Sequence, residues 1–364
     1  LNDPSLKGKP VLVGGSERGV VAACSYEARK FGIHSAMPMK IAKKLCPQAV
    51  IVSGARGEYS KYSRWVTEII ASKVPLFEKA SIDEFYIDLS GMDKFFGVSN
   101  YTRDLRQQIM RETGLPISCG LSSGKMISKI ATNEAKPNGM LEIPHGKETE
   151  FLWPLDIGKI PGVGKNTEQQ LKQFGIYTIG DIARTPQEVF EKNFGKWGES
   201  LWRKSHGLEH GTIETGWEQK SFSHENTFEE DMTDLEFLHS ELVRLTEKTA
   251  YSLREDDKLT GTVTVKIRYS DFETTSRQET IDYTSLDDQL IAKAKDLFQK
   301  SWQKGRPVRL LGVRFSQLIP FTMQMNLFQD NAEKLNLYKA VDDIKDRFGS
   351  TMVKKGSSVR KEGE

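Results

Sequence analysis

The chain moves between two hydrophobic periods. Over Tyr59–Lys73, residues Tyr62, Trp65, Val66, Ile69 and Ile70 recur three and four apart, which predicts an amphipathic helix. Over Gly261–Tyr269 the period is two. Val263, Val265, Ile267 and Tyr269 share one face and Thr262, Thr264, Lys266 and Arg268 the other, as in a half-buried strand. The helical patterns of Leu235–Leu253 and Asp287–Trp302 supply surfaces for its apolar face. Nearer the start, Val11–Gly14 reads as a short strand, followed by a Gly/Ser turn and the small-residue run Val20–Cys24. Ser25 then caps a short helix that ends at Gly32. Tyr101–Thr113 is a helix closed by Gly114, Pro116–Leu121 a strand, and Met126–Glu134 a further helix. Towards the end, Leu337, Val341, Ile344 and Phe348 form a helical stripe within Glu333–Phe348 and are expected to dock; Lys354–Glu364 reads as disordered.

Two short apolar runs, Val74–Phe77 and Phe85–Leu89, flank the polar centre Ala80-Ser81-Ile82-Asp83-Glu84. Neighbouring side chains of a regular strand face opposite ways, so Asp83 and Glu84 share a site only if the segment turns. A hairpin with the pair near its tip is predicted. There two carboxylates suit a hard cation such as Mg²⁺, although an isolated Asp-Glu also fits an exposed turn. From about Glu150 the pattern shifts to short helices punctuated by Gly and Pro. Ile160-Pro161-Gly162-Val163-Gly164, followed by Thr167–Phe174 and Gly175, has the form of a helix-hairpin-helix. Its glycines admit a phosphate to the backbone, amides at the helix start favour an anion, and Lys165 adds charge. The same residues also fit a plain tight turn.

Length allows about two to four domains. With 37% hydrophobic and 28% charged residues the chain is of globular type. A net charge of +2 requires any basic surface to be local. Cys24, Cys46 and Cys119 lack paired spacing, which predicts buried thiols and no disulfide or zinc framework. No apolar run approaches the roughly 18 residues of a membrane span. His206 and His210 stand four apart, but Gly207 and Gly211 interrupt a helix there and no third ligand is evident.

Successive blocks then carry a resemblance. They are Asp3-Pro4-Ser5-Leu6-Lys7-Gly8-Lys9-Pro10-Val11, Ser25-Tyr26-Glu27-Ala28-Arg29-Lys30-Phe31-Gly32 and Ser81-Ile82-Asp83-Glu84. Ala135-Lys136-Pro137-Asn138-Gly139 and Ile160-Pro161-Gly162-Val163-Gly164 follow, then Ile267-Arg268-Tyr269-Ser270-Asp271-Phe272 and Leu310-Leu311-Gly312-Val313. In this order, from about Asp3 to Phe328, the chain resembles the Y-family (translesion) DNA polymerases of the DinB, or DNA polymerase IV, branch. The resemblance implies an α+β, multi-domain right-hand polymerase. Residues 1–55 would form small fingers with a truncated palm start, and 56–149 a palm with a mixed sheet. A helical thumb with the helix-hairpin-helix would span 150–216, a linker 217–221, and a little finger of β-sheet and helices 222–323. Residues 324–364 would hold a clamp-binding peptide, a helix and a tail.

By the same resemblance, Asp83 and Glu84 would hold two Mg²⁺ ions, and Tyr26, Arg29 and Lys136 would contact the dNTP triphosphate. Gly162, Gly164, Lys165, Lys266, Arg268 and Arg314 would contact primer-template DNA; for the sheet residues, alternation alone fits a solvated face equally well. Gln324, Leu327 and Phe328 resemble the peptide by which bacterial polymerases bind the sliding clamp. Ala22, Ala23 and Cys24 would roof the nascent base pair with small side chains, hence low fidelity. The family's first palm strand carries a further metal-binding Asp and a sugar-screening aromatic residue, and the sequence starts after that segment, at Leu1. The expectation is an N-terminally truncated polymerase, inactive or severely impaired as it stands, with Asp88 the nearest substitute ligand. It would act as a cytoplasmic monomer without membrane attachment. The alternative is a non-catalytic module binding primer-template and clamp, which leaves Asp83, Glu84 and the triphosphate-like residues without a task.

Overall fold

In chain order, β1 (Val11–Val13), β2 (Ala23–Cys24), α1 (Tyr26–Arg29), α2 (Met39–Leu45) and β3 (Val50–Val52) come first. Next are α3 (Glu58–Ala71), β4 (Phe77–Lys79), β5 (Phe85–Ile87), α4 (Val98–Thr113), β6 (Cys119–Leu121), α5 (Lys125–Glu134) and β7 (Met140–Glu142). Helices follow: α6 (Glu148–Leu152), α7 (Lys165–Gln173), α8 (Ile179–Arg184) and α9 (Gln187–Ser205). The last part comprises β8 (Ser221–Met232), α10 (Leu235–Glu255), β9 (Lys258–Tyr269), β10 (Thr274–Thr284), α11 (Asp287–Ser301), β11 (Val308–Pro320) and α12 (Ala332–Phe348). The computed structural model describes residues 3–15, 18–55, 57–92, 97–208, 211–216, 218–321, 332–349, 352–353 and 356. The expected clamp-binding residues Gln324, Leu327 and Phe328 lie outside the described residues.

Two units divide the chain, Leu1–Lys7 with Gly54–Trp217, and Gly8–Ser53 with Glu218–Glu364. In the first, β4 and β5 form an antiparallel ladder and β6 and β7 a parallel one. Val66, Ile69 and Ile70 of α3 and Leu105 and Ile109 of α4 are buried together, and Phe77, Phe85 and Ile87 of the hairpin pack against them. This apolar seat fixes the hairpin while leaving its tip outside the core. Helix α5 lies almost directly on β6, because a Cβ at Gly120 would stand 2.3 Å from the Ser128 carbonyl oxygen. Its other apolar residues, Met126, Ile127 and Ile130, join Leu152, Ile157, Leu171, Ile179 and Phe190 in one core. A capping box starts α8, with Thr178 Oγ1 accepting from the Asp181 N–H and Asp181 accepting in return from the Thr178 N–H. Helix α9 is broken at Gly195, whose φ is +60°.

In the second unit, β1 pairs antiparallel with β2 and parallel with β3. Leu12, Val21, Ala28, Ile33, Met39 and Ala42 form its small core. The larger body is an antiparallel sheet in the order β10-β9-β11-β8, with α10 and α11 on one side. Val263, Val265, Ile267 and Tyr269 are buried against Leu238, Leu242, Leu290 and Phe298, as the period-two pattern predicts. Cys24, Cys46 and Cys119 are free thiols. Among the described residues no helix is long and apolar enough to cross a membrane.

Helix α12 corrects one expectation. It docks through Tyr338 and Lys345, which are buried, and through Asp342, while Leu337, Ile344 and Phe348 of the apolar stripe are exposed. The cause lies on α10. Arg254 is largely buried and is forked between Asp287 (2.6 Å) and Asp342 (2.6 Å). A guanidinium taken out of water needs carboxylate partners, and α12 presents the face that supplies one.

Candidate active site

The site begins with a tight turn. Ala80 N–H and Ser81 N–H both donate to the Glu84 carbonyl, closing the loop between Lys79 and Phe85. Ser81 Oγ donates to Asp83 Oδ1 at 2.7 Å and steadies its carboxylate, which is exposed at the tip. Asp83 and Glu84 therefore leave the hairpin where the chain reverses, and the strand rule that would separate them does not apply. Asp88 sits at the base instead. Its carboxylate accepts the Ser90 N–H at 2.8 Å, and Ser90 holds its pKa below the usual range.

Facing the hairpin is the cationic side of α5. Lys129 donates to the Glu84 carboxylate, and Lys125 to Glu78 at 2.6 Å. Four residues separate the two lysines, so both project from one helix face. Lys125 also lies 5.0 Å from the Tyr86 ring centroid and donates to the Thr212 carbonyl. Burial pushes the Glu78 pKa up, but the Glu214 N–H and Lys125 outweigh it and hold the carboxyl below its ordinary value. Burial, reinforced by Glu84 and Glu78, raises the Tyr86 phenol. Neither lysine stood out in the sequence; their four-residue spacing ahead of Lys136 was the available signal.

Lys136 follows α5 directly and is exposed, its Nζ 3.1 Å from Asn133 Oδ1. The turn that carries it is built with little slack. Asn138 has a φ of +50°, and a Cβ at Gly139 would stand 2.2 Å from the Ala135 carbonyl oxygen. From α4, Arg106 reaches over to donate to the Asn138 carbonyl (2.6 Å) and side chain (2.8 Å), and to the Ile117 carbonyl (2.7 Å). A guanidinium fork thus ties the turn, through two acceptors of Asn138, to the Ile117 carbonyl ahead of β6.

In the other unit, Ser25 caps α1 by accepting from the Ala28 N–H. Tyr26 and Arg29 are exposed side by side, with the guanidinium 5.6 Å from the Tyr26 ring centroid. Ala22 and Ala23 are also exposed. In the helical region, Gly162 takes a φ of +95° and Gly164 precedes α7, whose first turn has no side-chain cap. Lys165 is exposed at that helix start. On the open face of the large sheet, Arg314 is exposed, Arg268 Nε donates to Thr274 Oγ1 at 2.9 Å, and Lys266 is ion-paired to Glu225.

Asp83 and Glu84 are hard oxygen donors of the kind Mg²⁺ prefers, and they fit that ion in type. Among the described residues no group of three or more His, Cys, Asp or Glu side chains gathers around one point.

Known proteins share this arrangement of chain. Residues 1–133 match the impB/mucB/samB family, 219–327 that family's C-terminal domain, and 158–209 the thumb domain of DNA polymerase-iota. The DNA polymerase IV of Dehalococcoides mccartyi strain CBDB1 is 38% identical, covering 98% of this chain and 93% of the relative. That of Desulfatibacillum aliphaticivorans is 36% identical over 99% and 93%. Among solved structures, DinB from Sulfolobus solfataricus matches with a TM-score of 0.58 at 26% identity, over 88% of this chain and 94% of that one. A Y-family chimera of Dbh shares the fold with a TM-score of 0.75 at 24% identity, over the same shares. With identity of this level sustained from end to end, the chain belongs to the Y-family DNA polymerases, in the DNA polymerase IV branch, and is a DNA-directed DNA polymerase of translesion synthesis.

Proposed function

We propose that this polymerase adds deoxynucleotides to a primer 3′-hydroxyl at the β4–β5 hairpin, with Asp83 and Glu84 as its metal-holding carboxylates. The observation that supports this most is that both acids lie in the turn at the hairpin tip, where Ser81 holds Asp83 and Lys129 of α5 holds Glu84. When bound, two Mg²⁺ ions supply stabilisation of the attacking and leaving oxygens. The remaining work belongs to the protein. Lys136 would hold a phosphate of the dNTP as a point charge, on a turn that Arg106 keeps from drifting. Tyr26 and Arg29 would bind the other phosphates, Arg by a bidentate fork and Tyr by its hydroxyl. Small exposed side chains at Ala22 and Ala23 would test the shape of the base pair loosely, the physical basis for low fidelity.

Residues 56–149 act as palm, 1–55 as fingers, 150–216 as thumb and 222–323 as little finger, joined by the linker 217–221. The uncapped start of α7, with Gly162, Gly164 and Lys165, would take a phosphate of the primer-template. Arg268 and Arg314 would grip the backbone from the little finger, positioning without reading sequence. Gln324, Leu327 and Phe328 would bind a bacterial sliding clamp, with the enzyme working as a cytoplasmic monomer.

The test is primer extension with Mg²⁺ by the protein beside its Asp83→Asn and Glu84→Gln variants, with primer-template binding measured on the same samples. Extension lost in both variants while binding is kept supports the proposal; extension unchanged in either variant contradicts it.

A further inference from the structure

The open face of the four-stranded sheet is hydroxyl-rich. Across its rows, Thr280, Thr262, Ser316 and Ser221 stand in line, then Gln278, Thr264, Arg314 and Ser223. The next row is Ser276, Lys266, Gly312 and Glu225, and it differs from the others. It carries an acid. Glu225 accepts from Lys266 Nζ at 2.8 Å, although a whole strand lies between them. The bridge is possible because the intervening residue is Gly312. A Cβ there would stand 3.0 Å from the Glu225 Cβ and 3.5 Å from its Oε2, so a side chain would crowd the carboxylate out of position.

We infer that Glu225 is a built-in restraint on DNA binding, holding Lys266 in an internal pair across Gly312 and so withholding it from the phosphate backbone. This rests on the proposal that the open sheet face grips DNA. Two of its cations have neutral neighbours: Arg268 contacts Thr274, and Arg314 lies in a row of Thr, Gln and Ser. Lys266, between them on the face, is the one whose charge is cancelled. A phosphate approaching this row meets a neutral pair and must displace one carboxylate to win one ammonium.

The test is binding of a fluorescein-labelled primer-template by the full chain, followed by anisotropy across a range of salt. Each phosphate contact steepens the slope of log affinity against log salt by about 0.9. We expect Glu225→Gln to steepen it by about that amount and to tighten binding about threefold to tenfold at low salt. In the E225Q background, the loss caused by Lys266→Ala should grow by the same factor over its loss in the parent chain. A slope unchanged by both Glu225→Gln and Glu225→Ala overturns the inference. So does a Lys266→Ala loss that is equal in both backgrounds. Arg314→Ala separates the two levels of the claim. If it weakens binding while Glu225 variants do nothing, the face binds DNA and the restraint is wrong. If Arg314→Ala and every other variant leave binding unmoved, the face does not grip DNA and the restraint falls with it.

Discussion

Lys129 of α5 donates to Glu84 at the tip of the acidic hairpin, so one of the two proposed metal ligands is already charge-paired. A cation that binds the pair must compete with that ammonium. We expect Lys129→Met to tighten direct binding of Mn²⁺, used as the spectroscopic stand-in for Mg²⁺, by about threefold to tenfold, in keeping with a partly exposed ion pair. Lys129→Arg should restore the parent value. Electron paramagnetic resonance of free Mn²⁺ measures both; weaker binding in Lys129→Met would show that the lysine assists the metal.

Gly139 should not tolerate a side chain. A Cβ there would meet the Ala135 carbonyl oxygen at 2.2 Å, and a backbone atom cannot swing aside. Gly139→Ala is expected to lower stability by about 1–3 kcal/mol in urea unfolding and to raise the KM for dNTP through displacement of Lys136. Unchanged stability and KM together would mean the turn relaxes freely.

The capping box of α8 gives a pH signature. The Thr178 and Tyr177 N–H groups hold the Asp181 carboxyl at about 2, below its ordinary 3.8. A depressed carboxylate stabilises the fold above its unfolded pKa and loses that contribution as pH falls through the folded value. Asp181→Ala should therefore cost about 1 kcal/mol at neutral pH, and the gap to the parent should close between 3.8 and about 2. Unfolding titrations of the two proteins across that window are the check.

Helix α12 should be released by a single change. Asp342→Ala takes one of two carboxylates from Arg254, whose side chain is only 12% exposed, and leaves it paired with Asp287. Local hydrogen exchange over Ala332–Phe348 is expected to lose about 2 kcal/mol of protection, while strands β9 and β11 keep theirs. Equal loss in the strands would make α12 part of one cooperative unit with the sheet.

Much of this was legible in the residues. The hairpin could be read because two apolar runs must bury and the polar centre cannot. Val263 to Tyr269 revealed their face because a strand's period is short and both faces differ. What escaped were relations set by packing between distant elements. Lys125 and Lys129 look like ordinary surface lysines until α5 is laid beside the hairpin. Likewise the stripe of Leu337, Ile344 and Phe348 suggested the wrong face of α12. The demand that decides its docking comes from Arg254, far away in sequence and largely buried. Glu225 and Lys266 meet only because the register of three strands places Gly312 between them.

The central claim is that Asp83 and Glu84 do the catalytic work of this polymerase. Its most direct test is single-turnover primer extension with Mg²⁺ by the enzyme and by its Asp83→Asn and Glu84→Gln variants, with primer-template affinity measured on the same samples. We expect each variant to retain DNA affinity within about twofold and to lose at least about 10²-fold in rate, as removal of a charge-stabilising group at a reacting centre does. Extension at the parent rate by either variant would show that the acidic hairpin is not the metal site.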